Sequence, residues 1–148
     1  MKGCIMKSAL LVFSSLLLLS PLAQSAELAP GQWKLSIELD APGVPEQMRN
    51  QVQEDCVTAE EAGDLEASLR KSWEEDNCSN GEIDSSGNTL RWSADCTMPG
   101  SNSQTHITGK MVLQNSKHYT SELTMKGNDH TMKTHIEGKW AAVECSAE

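Results

Sequence analysis

After Ser103, three runs of residues alternate apolar and polar side chains, and one pairing of the runs keeps the apolar ones together. Turns at Asn115-Ser-Lys117 and Asn128-Asp129 set Gln114 opposite His118 and Gly127 opposite His130. One face of the resulting meander carries the rows Ile107–Met125–Met132, Gly109–Leu123–Thr134, Met111–Ser121–Ile136 and Leu113–Tyr119–Gly138. The other carries His106–Lys126–Thr131, Thr108–Thr124–Lys133, Lys110–Glu122–His135 and Gln114–His118–Lys139. Strand side chains alternate with period two, so a slip of one residue would scramble this division. Large residues fall beside glycines, Tyr119 beside Gly138 and Leu123 beside Gly109. Lys110–Glu122–His135 alternates in sign once His135 is protonated. Cross-strand neighbours of these kinds contribute about 0.2–1 kcal/mol each.

The rest of the chain adds strands and a helix. Trp33, Leu35, Ile37 and Leu39 alternate in an earlier strand, which Ala41-Pro-Gly-Val-Pro45 ends. Val44, Met48 and Val52 stand four apart, so Pro45 to Glu54 reads as a short helix. Thr58-Ala-Glu-Glu61 is a capping box. Leu65, Leu69 and Trp73 recur at helical spacing, which predicts an amphipathic helix over 64–74 capped by Asp64. Ser85-Ser-Gly-Asn88 is a hairpin turn, after which Leu90, Trp92, Ala94 and Cys96 share a face. If Cys96 pairs with Thr105, Trp92 lands over Gly109. The expected fold class is α+β, mainly β. It is an antiparallel meander of five or six strands, a half-barrel if it curves, with one or two short helices packed on its apolar face.

The first 25 residues read as an export address. Lys2 and Lys7 precede and flank an apolar run from Ser8 to Leu19, Ser20-Pro21 breaks it, and Ala23-Gln24-Ser25 supplies small residues for cleavage. The run is about a dozen residues, where a membrane-spanning helix needs roughly 20. Cleavage is expected after Ser25 or Ala26, leaving residues 26–148 as one periplasmic or secreted domain with no membrane span. Cys4 sits before the apolar run, not at a cleavage point after it, which argues against a lipoprotein anchor.

Without Lys2 and Lys7, ten basic residues face 21 acidic ones, a charge of −11 on the exported part. That disfavours nucleic acid and anionic membranes as partners. Residues 54–84 hold eleven of the acids, against Arg70 and Lys71. Their spacing does not match a calcium loop, so they read as a solvated face.

Cys56, Cys78, Cys96 and Cys145 remain, an even number in an oxidising compartment. Cys78 and Cys96 lie at the far ends of the 83–90 hairpin. A two-residue turn at 86–87 sets Cys78 opposite Asp95, and a bulge near Gly81 would bring it to Cys96. This favours Cys78–Cys96 with Cys56–Cys145, and the other two pairings stay open. No Cys-x-x-Cys is present to suggest redox catalysis.

The landmarks follow an order. Pro30-Gly-x-Trp33 opens the first strand and Pro42-Gly-Val-Pro45 follows it. Cys56-Val-Thr-Ala-Glu-Glu61 opens the helix, and Cys78 precedes the hairpin that Gly-Asn-Thr-Leu-x-Trp92-x-x-x-Cys96 closes. A Thr-, Met- and Gly-rich meander ends at Cys145. In this the whole exported part resembles the bacterial proteins grouped as domain of unknown function 3617. Ala59 departs from the Pro expected after Cys-Leu-Thr, and the Met-rich character is diluted. The resemblance implies an exported, disulfide-bonded, small β-rich domain. It carries no established activity, so no catalytic residue transfers.

His106 and His135 share a face but lie well over 10 Å apart at strand spacings of ~4.8 Å, too far for one zinc ion. With His118 and His130, they read as scattered surface histidines. Met125 and Met132 are adjacent thioethers, a pattern that suits Cu(I) but more often fills a core. No Gly-x-Ser-x-Gly occurs, and Ser121 on the apolar face has no histidine beside it. Asn77-Cys-Ser79 matches a glycosylation sequon by chance. No enzyme activity, metal or cofactor is expected. The apolar face itself remains. Its Gly, Ser and Thr among Met, Ile, Leu and Trp make a small-residue lining, which the 64–74 helix fills or which stays open to a small apolar ligand or lipid. Trp92, Met111, Met125 and Met132 are the candidate contacts. The alternative is an envelope interaction or structural protein that meets a protein partner through its acidic 54–84 region.

Overall fold

The computed structural model describes residues 27–97, 100 and 103–145; the segment read as a signal, residues 1–25, lies outside them. Among the described residues, seven strands form one open antiparallel sheet, accompanied by three short helices. In chain order these are β1 (Gly31–Asp40), α1 (Glu46–Arg49), β2 (Asn50–Val57), α2 (Ala59–Gly63), α3 (Leu65–Glu75), β3 (Cys78–Ser86), β4 (Thr89–Thr97), β5 (Gln104–Asn115), β6 (His118–Lys126) and β7 (Thr131–Ala142). The sheet order is β2-β1-β7-β6-β5-β4-β3.

The meander register holds across β5, β6 and β7. Ile107, Met125 and Met132 form one row, Gly109, Leu123 and Thr134 the next, then Met111, Ser121 and Ile136, then Leu113, Tyr119 and Gly138. Cys96 pairs with Thr105, and Trp92 faces Gly109 as that pairing requires. A Cβ at Gly109 would collide with the Trp92 indole, and one at Gly138 with the Tyr119 ring. β1 pairs with β7, so Trp33 meets Trp140, Leu35 meets Gly138, Ile37 meets Ile136 and Leu39 meets Thr134.

Several expectations need correction. The segment 45–54 is helical only over Glu46–Arg49, and the chain then enters β2, a seventh strand. Its sequence NQVQEDCV is exposed on both faces and pairs on one side only, so no alternation marks it. His118 pairs with Asn115 in place of Gln114, across an irregularity after Leu113. The β3–β4 turn closes on Ser86 and Thr89, one residue further along than a turn at 86–87 requires. Ser79 pairs with Asp95 but Glu82 with Ser93, so one extra residue sits on β3 at Asn80-Gly81. That bulge sets Cys78 opposite Cys96, and the two are bonded with Cα atoms 4.0 Å apart. Cys56 and Cys145 form the other disulfide, which ties edge strand β2 to the segment after β7. Two disulfides fit an oxidising compartment. Among the described residues no helix is long and apolar enough to cross a membrane.

The helix caps match their sequence signals. Thr58 accepts from the Glu61 N–H while the Glu61 carboxylate accepts from the Thr58 N–H, and Asp64 accepts from the Ala67 N–H at 2.9 Å. α3, however, does not lie across the middle of the apolar face. Its main sheet contact is edge strand β3, where Trp73 sits on Gly81.

The main closed core lies at one end of the sheet, while Leu90, Ala94 and Cys96 are buried separately along β4. Leu28, Trp33, Ala62 and Leu113 are buried together, with Leu35, Val57, Leu65, Met111, Tyr119 and Trp140 packed around them. Residues 28–30 form a strap over this end. The Leu28 N–H donates to Ala62 at 3.1 Å and the Ala29 N–H to Ser116 at 2.6 Å. The strap's carbonyls accept from both nearby indoles, Ala29 from Trp33 Nε1 and Pro30 from Trp140 Nε1, each at 3.0 Å.

Candidate functional site

The apolar face is continuous, but its cover is not. Beyond the closed end, Ile37, Leu39, Ile107, Leu123, Met125, Met132, Thr134 and Ile136 are all half-buried. They come from β1, β7, β6 and β5, the four central strands of the sheet toward its β1 side. Period-two alternation puts them on the same side as the core because their partners across each ladder lie on it too. Together they make an apolar floor that starts where the strap and α2 stop.

The four candidate contacts divide between the two regions. Met125 and Met132 face each other directly on β6 and β7 in the floor. Trp92 is half-buried on β4, between Ile83 and Gly109, at the floor's far side. It also lines a cleft of about 600 Å³ with Arg70, Gly81 and Ile83. Met111 packs against the closed core and belongs to it. The four Cys residues, also singled out by the sequence, lie away from the floor's centre, at the β3–β4 ends and the β2 edge.

The floor has a polar rim that the sequence reading missed. On the β2 side, Gln51, Gln53 and Asp55 pair with Ile37, Leu35 and Trp33 and so share the apolar side of the sheet. Reading 45–54 as a helix hid Gln51 and Gln53. Asp55 acts on Tyr119: burial pushes the phenol pKa up to about 12, and the Asp55 charge adds to the rise. Ser121, which the sequence places on this face, is buried between Met111 and Ile136.

The opposite face is charged and solvated. Glu38, His135, Glu122, Lys110, Arg91 and Asp84 form one row across six strands. His106 Nδ1 lies 2.7 Å from an Asp95 oxygen, and His118 Nε2 lies 3.0 Å from Glu137, which also takes Lys139 at 2.9 Å. The Asn80 amide, then His106, hold the Asp95 carboxyl below its usual value, and Lys139, then His118, do the same for Glu137. Among the described residues, no group of three or more His, Cys, Asp and Glu side chains is placed to hold a metal ion.

Comparison with curated proteins and with solved structures gives no match. A family model described as "Protein of unknown function (DUF3617)" matches residues 28–145, from the first buried residue of the strap to the last disulfide cysteine. The chain belongs to the DUF3617 family.

Proposed function

We propose that this is an exported, non-enzymatic binding protein that takes a small apolar ligand or lipid on the open part of its apolar face. The observation that carries this reading is the half-buried floor of Ile37, Leu39, Ile107, Leu123, Met125 and Met132, none of them buried as Leu28, Trp33, Ala62 and Leu113 are in the core beside it. A sheet that only had to be stable would extend its cover over these side chains, since each square ångström removed from water is worth about 25 cal/mol. Met side chains suit a site that must adapt to its occupant. The signal-like residues 1–25 and the two disulfides support export.

The test is native mass spectrometry and lipid extraction on protein purified from an oxidising host without detergent. A bound lipid or small apolar molecule is expected. Empty protein, with no uptake from added lipid, would sink the reading.

A second reading keeps its own support. Glu60, Glu61, Asp64 and Glu75 line a cleft of about 600 Å³ on α2 and α3, with Lys71 as the cation among them. An envelope protein partner could meet this acidic surface. A pull-down at low salt checks it: partners that dissociate at high salt support the acidic face, and salt-insensitive partners argue against it.

A further inference from the structure

We propose that the Ser121 hydroxyl is the polar anchor of this site and that the ligand is an uncharged amphiphile whose hydroxyl or carbonyl oxygen hydrogen-bonds to it. The inference rests on reading the open floor as a ligand site, and it names the chemistry of what lies there.

Ser121 is only 6% exposed, in a row between Met111 and Ile136 on the apolar face. Among the described residues no group hydrogen-bonds to its Oγ. Nor is the oxygen sealed off, because no fully buried side-chain oxygen in the described structure lacks a partner. Its hydroxyl therefore opens onto the space above the sheet. No protein group uses the hydroxyl, so its donor and its acceptor lone pairs stay available to an atom that arrives from that space.

Its position matches the role. Toward one end of β6 lies Tyr119 in the closed core, and toward the other lie Leu123 and Met125 on the floor. An apolar chain laid from Ser121 to Met125 would run about 13 Å at ~3.3 Å per residue. Apolar sites of this type orient their ligand with a few placed polar groups.

The charge of the ligand follows from what the face lacks. Its strand residues include no Lys, Arg or His, and its one charged residue is Asp55 at the β2 rim. The nearby cations lie off to the sides: Arg70 is in the cleft with Trp92 and Ile83, two to three strands from β6 or roughly 10–14 Å, and Lys117 lies over Trp140, four residues or roughly 13 Å along β7 from Ile136. A carboxylate at Ser121 would be unpaired and costly to desolvate. A neutral oxygen would not.

The experiment is calorimetric titration of the oxidised protein with dodecanol, dodecane and dodecanoate, in wild type and Ser121→Ala. Dodecanol is expected to bind wild type best. Ser121→Ala is expected to weaken dodecanol about two- to tenfold, leave dodecane unchanged and keep or raise Tm. Equal dodecanol affinity in both proteins would overturn the anchor while leaving the ligand reading standing. Preference for dodecanoate would overturn the neutral ligand. Binding of no probe to wild type would overturn the ligand reading and the anchor together.

Discussion

Two glycines of the inner strands let aromatic rings from neighbouring strands lie against the sheet, and each leaves no room for a methyl group. Trp92 covers Gly109 and Tyr119 covers Gly138. Gly109→Ala and Gly138→Ala should each cost about 1–3 kcal/mol by overpacking, measured by urea denaturation. Trp92→Leu in the Gly109→Ala background should recover part of the loss, because the colliding ring is gone. Tyr119 offers a second test, since it is the one tyrosine of the chain. Its folded pKa of about 12 lies above the ordinary 10. A raised folded pKa means the stabilisation is complete below pH 10 and is lost as pH rises through about 12. Absorbance at 295 nm should therefore titrate near pH 12 in the folded protein, and Tyr119→Phe should flatten the fall in stability over that window. A midpoint near 10 would mean that the ring is not buried as described. The glycine–aromatic pairs were legible in the sequence because a large residue beside a glycine has meaning only in one register. The Ser121 environment was legible only in part: its face could be read, but its lack of a partner depends on side chains from three strands.

At the scale of elements, what the sequence made readable depended on burial. β5, β6 and β7 each have one wet face and one dry face, so alternation sets their register. β2 is wet on both faces, and Val44, Met48 and Val52 mimic a helix where the chain turns into that strand. The capping signals at Thr58 and Asp64 were local and held. Hydrogen bonds from the Thr58 backbone and hydroxyl lower the Glu61 pKa. The cap is therefore intact above the usual carboxylate range and is lost as pH falls through the lowered value. Thr58→Ala should cost about 1 kcal/mol, seen as reduced denaturant midpoint with unchanged slope. The disulfides differ in the loops they close, 89 residues for Cys56–Cys145 against 18 for Cys78–Cys96. Loop entropy assigns them about 4.6 and about 3.2 kcal/mol. Replacing Cys56 and Cys145 by Ser should thus destabilise more than replacing Cys78 and Cys96. The reverse order, by thermal unfolding, would mean that edge strand β2 contributes little to the fold.

For the whole molecule, one end of the sheet is closed, Leu90, Ala94 and Cys96 are buried along β4, and the floor beside them is only half-buried. The strap, α2 and two tryptophans close the first part, while α3 rests on the β3 edge. The sequence offered a filled face or an open one, and could not choose, because helix placement depends on where α3 meets the sheet and not on its own periodicity. The central claim is that the floor beyond the core receives an apolar chain. Methionine methyl groups report on it directly. In protein labelled at the methionine methyl carbon, Met125 and Met132 lie in the floor, whereas Met48 is exposed on α1. Titration with dodecanol followed by NMR should shift the Met125 and Met132 signals in step and leave Met48 in place. Unmoved floor methionines at saturating dodecanol, or a shift confined to Met48, would contradict the account.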